Sequence, residues 1–173
     1  MVTFIGDDRP GLVDRLSSII EAQGGNWNES RLSQLGGKFA GLILVSLATG
    51  DPQPLEDALR DLSATGVSVR VTPTADIAQS AAQATSGRRV SLNILGPDRP
   101  GIVKEIAHAL AERNINVIEL HSNVSSAPMS AELLFAAQVE AVIPQDSNLD
   151  ELGLSLEAIA NTMTLEIDLT CAD

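Results

Sequence analysis

The chain has 173 residues, 44% of them hydrophobic and 20% charged, a balance of folded protein and not of disordered or low-complexity sequence. Its 11 Lys and Arg stand against 23 Asp and Glu, a formal charge of −12, and acids outnumber bases in both halves, which argues against direct nucleic-acid binding. No apolar run approaches the roughly 18 residues a membrane span needs, and MVTFIGDDRP lacks the basic and apolar regions of a signal peptide, so a cytoplasmic protein without membrane association is expected.

Taken in chain order, Val2–Ile5 is a short apolar run that reads as a strand. The motif GDDRPGLV follows at residues 6–13, with Pro10 placed to open a helix and Asp8 ahead of it as an N-cap acid. Leu12, Val13, Leu16, Ile19 and Ile20 are read as one helix face, closed by a left-handed cap at Gly24-Gly25. Strands over 26–34 and 38–49 flank Gly36-Gly37 as a hairpin. Leu55, Leu59 and Leu62 mark a second helix, and Val67–Val71 alternates as a closing strand.

Residues 96–103 then read GPDRPGIV, the same motif displaced by 90. Asn116 and Glu119 repeat Asn26 and Glu29 at that offset. The chain is therefore two copies of one unit: 1–73 and 88–173, joined by a small, polar linker over 74–87, with a short helix over 75–84. The second copy repeats the elements. Val90–Leu95 is a strand, and Ile102, Val103, Ile106, Ala107 and Leu110 form a helix stripe behind Asp98 as cap, with Asn114 as the left-handed stop. A hairpin over 115–124 and 131–143 turns near Pro128; a helix carries Leu152, Leu156, Ile159 and Met163, and Leu165–Leu169 closes the unit. The order βαββαβ, twice, is the ferredoxin-like arrangement: α+β, with four-stranded antiparallel sheets and the helices on one face.

The repeated G-x-D-R-P-G-[LI]-V at the first strand–helix junction resembles the ACT domain, a small amino-acid-sensing module. The tandem arrangement is similar to the glycine cleavage system transcriptional repressor family. The chemistry suits a free amino acid. Backbone N–H groups at a helix start favour a carboxylate, and Gly11 and Gly101 let a ligand approach the chain, with Leu12 and Ile102 next to them. Asp8 and Asp98 can accept from an ammonium, Asn26 and Asn116 offer both donors and an acceptor, and Arg9 and Arg99 can meet a carboxylate or form salt bridges. The resemblance implies that the loop acid and the Asn come from different units, pairing Asp8 with Asn116 and Asp98 with Asn26. Without a ligand, the same Asp would still serve as an N-cap and the Asn as a turn residue.

Catalysis finds little support. The chain has two His and one Cys, and the dinucleotide and P-loop glycine motifs are absent, so no enzyme activity, metal or cofactor is expected. Asp7-Asp8 and Asp150-Glu151 read as caps and solvated acids, His108 as a surface residue, and Trp27 as a packing residue at an interface; His121 faces a ligand or a sheet edge. The reading is an amino-acid-responsive regulatory protein that binds a small amino acid, glycine by resemblance, between its units and controls transcription or metabolism through a protein partner. The alternative is a stand-alone regulatory subunit of an amino-acid metabolic enzyme. Open sheet edges and helix faces predict that the copies pack together and that chains form a homodimer.

Overall fold

The computed structural model describes residues 1–48, 50–74, 87–127, 132–145 and 147–171. The chain divides into two units, Met1–Asp76 and Ile77–Asp173. The helix expected over 75–84 and the turn at Pro128 lie outside the described residues.

In the first unit β1 (Val2–Asp7) leads to α1 (Leu12–Ala22), then β2 (Gly25–Leu35), β3 (Lys38–Leu47), α2 (Gln53–Arg60), a 3₁₀ turn (Asp61–Thr65) and β4 (Ser68–Val71). The second unit repeats this as β5 (Arg88–Pro97), α3 (Ile102–Ala111), β6 (Asn116–Ser126), β7 (Leu133–Ile143), α4 (Leu149–Met163) and β8 (Glu166–Cys171). Each unit is α+β with one antiparallel four-stranded sheet, ordered β2-β3-β1-β4 and β6-β7-β5-β8. The first strand of each copy sits inside its sheet, paired on both sides, as the split βαβ order requires.

Period-two alternation explains which face is covered. Val2, Phe4 and Ile43 point to the helices and are buried with Leu12, Leu16 and Ile20 of α1, Leu55 and Leu59 of α2, and Leu62. In the second unit Val90, Leu92, Ile94 and Val139 meet Ile102, Ile106 and Leu110 of α3 and Leu152 and Leu156 of α4. The alternate residues, Thr3, Ile5 and Leu42 in one sheet and Asn93, Leu95 and Gln138 in the other, form a face without helices.

Local chemistry sets the boundaries. Gly36 and Gly37 both have positive φ (57° and 76°), which a two-residue type I′ hairpin demands. Gly24 (φ 70°) and Asn114 (φ 55°) end their helices in the left-handed region. Leu62 is buried as expected but belongs to the 3₁₀ turn, because α2 stops at Arg60. Both sheets carry a bulge at the same place, between Trp27 and Glu29 and between Val117 and Glu119.

Two helix stripes are narrower than the sequence pattern implies. Val13 and Val103 are 42% and 43% exposed, and Ala107 is exposed while Ala109 is buried. At about 100° per residue, Val13 and Val103 fall on the flank of the stripe in the first turn, and Ala107 falls well outside it. Leu16→Ala is therefore expected to cost about 2–5 kcal/mol, whereas Val13→Ala stays within about 0.5 kcal/mol. Urea denaturation of both variants checks this; equal losses would show the stripe to be misplaced.

Candidate ligand-binding loops

Both copies of the DRPG motif fold the same way. β1 ends at Asp7, opposite Lys38, and the Asp8 N–H donates to the Gly37 carbonyl at 3.0 Å. Arg9-Pro10-Gly11-Leu12 then forms a tight turn, closed by the Leu12 N–H donating to the Arg9 carbonyl at 3.4 Å. Gly11, at φ 87° and ψ 0°, occupies the third position of a type II turn, with Pro10 in the second. The second copy matches: the Asp98 N–H donates to Leu133 O at 2.8 Å, and Gly101 has φ 98° and ψ −8°.

This geometry corrects the expected caps. The N-cap positions are Gly11 and Gly101, not Asp8 and Asp98, and no side chain caps either helix. Pro10 and Pro100 stand in the turn before the N-cap, so they do not open the helix. By contrast α4 is capped conventionally, with the Asp150 N–H donating to Asn148 Oδ1 at 3.0 Å. The first-turn N–H groups of α1 and α3 are thus left without a side-chain acceptor, beside the exposed carboxylates of Asp8 and Asp98. A hollow of about 330 Å³ runs along Asp8–Asp14 and Phe39, and a smaller one of about 100 Å³ lies on the Arg15 and Val67 side. Leu12 and Ile102 are buried, so they can meet a ligand only through their backbone.

The two loops differ in charge. Asp7 is neither a cap nor a free acid: it pairs with Arg9 at 3.0 Å and with Lys38. The Lys38 ammonium, through its hydrogen bond and its charge, holds the Asp7 carboxyl below its ordinary 3.8, with Arg9 adding a smaller pull. In the second copy Pro97 faces Leu134 at the corresponding position, and Arg99 makes no ion pair among the described residues. Arg9 is thus committed to its own loop, and Arg99 is available to a carboxylate.

Neither unit brings its own Asp and Asn together. Asn26 stands opposite Ser46, whereas Asp7 stands opposite Lys38 on the same strand. Eight residues of extended chain separate those positions, about 26 Å. The second unit repeats the separation: Asn116 is opposite Val142, and Pro97 is opposite Leu134. Asn26 is exposed and donates to Asn28 Oδ1 at 2.8 Å, which also accepts from Ser46 Oγ at 3.3 Å; Asn116 is exposed. Trp27 packs against the core of its own unit. His108 is exposed beside Glu112, 3.4 Å away. Among the described residues no group of three or more His, Cys, Asp or Glu could hold a metal ion, and no helix is long and apolar enough to cross a membrane.

The sequence reading missed a hollow of about 500 Å³ on the helix-free face of the second sheet, bordered by Asn93, His121, Gln138, Glu166 and Asp168. Its members come from four strands, so no contiguous motif announces it. His121 lies there at 2.8 Å from Glu119.

Residues 1–72 and residues 90–148 each match the ACT domain. The chain belongs to the ACT-domain family. The ACT units together resemble an unknown protein from Galdieria sulphuraria (TM-score 0.83, 26% identity, 99% of this chain and 96% of that one). A candidate glycine cleavage system transcriptional repressor shares the fold at TM-score 0.70 and 20% identity, over 99% of this chain and 95% of that one. Among curated proteins, the bifunctional uridylyltransferase/uridylyl-removing enzyme of Xanthomonas campestris pv. campestris is 27% identical over 130 residues, 64% of this chain. The match spans only 14% of that enzyme's length.

Gly11→Ala and Gly101→Ala each force a side chain into the left-handed region and are expected to cost about 1–2 kcal/mol, although no atom crowds either site. Asp98→Ala removes no cap and should change stability by less than about 0.5 kcal/mol; thermal melts of the three variants distinguish these effects. For Asp7, a lowered native pKa gives stability that is present above the ordinary carboxylate range and is lost as pH falls through the native value. Lys38→Met should therefore raise the Asp7 midpoint toward 3.8 in an NMR titration, and an unmoved midpoint would remove Lys38 as the cause.

Proposed function

We propose that this chain is an amino-acid-responsive regulatory protein. It binds a small amino acid at the DRPG loops and passes the signal to a protein partner. The observation that carries this reading is the repeated turn before an uncapped helix N-terminus, flanked by an exposed Asp. Open N–H groups and the helix dipole attract the ligand carboxylate, and Asp8 or Asp98 accepts from its ammonium. Each Asn lies at the far end of its own sheet, which suits the pairing that the resemblance implies, Asn116 with the Asp8 loop and Asn26 with the Asp98 loop. Arg99, free of Asp7's counterpart, makes the second loop the stronger carboxylate binder.

Resemblance to the glycine cleavage repressors makes glycine the first ligand to test and a transcriptional activator the first partner. The net charge of −12 supports action through protein and not through held DNA. A second reading has its own support: the curated match is to a 14% portion of an enzyme, which suits a regulatory subunit that docks on a separate catalytic chain. Affinity capture of the partner separates the two.

Losing one hydrogen bond to a charged group costs about 1.5–3 kcal/mol, so Asp98→Ala should weaken glycine binding at the second loop, and Asn116→Ala at the first, each roughly ten- to a hundredfold. Calorimetric titration with glycine and then the other amino acids measures this. Wild-type affinity in both variants would remove these residues from the site.

A further inference from the structure

We propose that Asn28 is a positioning residue: with Ser46 it turns the Asn26 carboxamide so that its oxygen, and not its nitrogen, is presented to a ligand. Asn26 then selects a ligand that brings an N–H donor to that position, an ammonium above all, since a charged donor makes the stronger bond. The inference rests on reading Asn26 as a ligand residue.

The bulge of the first sheet supplies the geometry. Trp27 stands opposite Val45 and Glu29 opposite Leu44, so Asn28 is the extra residue, without a partner on β3. Asn26 stands opposite Ser46. Asn28 Oδ1 accepts from both, from Asn26 Nδ2 at 2.8 Å and from Ser46 Oγ at 3.3 Å, which uses both lone pairs of that oxygen. The oxygen and nitrogen of a carboxamide lie on opposite sides of one carbon. With Nδ2 turned to Asn28, Asn26 Oδ1 faces away from the bulge. All three residues are exposed, so a ligand can reach that oxygen.

The second unit keeps the bulge and loses both partners. Ile118 is its extra residue, and Val142 lies opposite Asn116. Neither side chain can donate or accept a hydrogen bond. Asn116 thus has no side chain at its bulge to fix its carboxamide, whereas Asn26 is set before a ligand arrives. Ordering a binding group in advance spares the ligand that cost.

Glycine titration of the full chain tests this by NMR, read on the Asn26 side chain and on Trp27, the chain's only indole. Wild type, and Asn28→Asp, whose carboxylate still accepts from Nδ2, should show a hydrogen-bonded Asn26 N–H proton in the free protein. Asn28→Ile, which brings in the residue of the second copy, should lose that signature and weaken glycine binding roughly two- to tenfold. Asn28→Asp should bind no more weakly than wild type. Asn26→Asp, which keeps an oxygen acceptor, should bind more tightly than Asn26→Ala. Circular dichroism checks that each variant is folded. Wild-type affinity in Asn28→Ile, an Asn28→Asp as weak as Asn28→Ile, or an Asn26→Asp as weak as Asn26→Ala would overturn the positioning role while leaving Asn26 in the site. Wild-type affinity in Asn26→Ala, or no response to glycine at Asn26 and Trp27 in the wild type, would instead remove the ligand residue on which the proposal rests, and the proposal with it.

Discussion

A chain leaving the central strand of a small sheet has four residues in which to reverse and lay its first helix back over that sheet. The Arg-Pro-Gly-Leu and Arg-Pro-Gly-Ile turns meet this constraint. Proline fixes the φ of the second turn position, and glycine supplies a φ near +90° in the third, where a β-carbon would be strained. The helix then begins at Leu12 or Ile102, and that first side chain drops directly into the core. Leu16 and Ile20, and their counterparts Ile106 and Leu110, follow at helical spacing. The placement of the helices over each sheet thus hangs on one glycine.

The same turn leaves chemistry behind. A glycine at the N-cap has no side chain to satisfy the first-turn N–H groups, and the aspartate that looks like a cap is already spent three residues earlier. There its backbone ties the loop to the neighbouring strand, while its carboxylate remains in solvent. The arrangement gives up a side-chain cap, and with it about a few tenths of a kcal/mol of helix stabilisation, and retains a polar loop with unmatched donors and an unmatched acceptor. In α4, where no such loop is needed, Asn148 caps the helix in the ordinary way.

Duplication preserved this frame, and divergence acted on the surfaces around it. The first loop neutralises its arginine with Asp7 and anchors Asp7 to Lys38; the second replaces that ion pair with Pro97 against Leu134. The helix-free sheet faces diverged likewise, Arg70 in one standing where Asp168 stands in the other. Buried positions cannot drift this way: Val2 and Leu92, or Leu16 and Ile106, must still fill the same space.

The sequence by itself determined the duplication, the order of elements, the hairpin glycines, the left-handed stops at Gly24 and Asn114, and most of the core, because period-two and helical patterns and positive-φ residues are local signals. It also located the loops that carry Asp8 and Asp98. Only the tertiary structure decided that these aspartates are not caps, because the turn type depends on where the helix must start over the sheet. Only it showed that Asp7 belongs to Lys38, thirty-one residues away, since strand register and not sequence spacing brings them together. Register likewise put each asparagine about 26 Å from its own loop and gathered His121, Asn93, Gln138 and Asp168 from four strands onto one face. Such groupings have no local signature, because neighbours across a sheet are fixed by pairing and not by order along the chain.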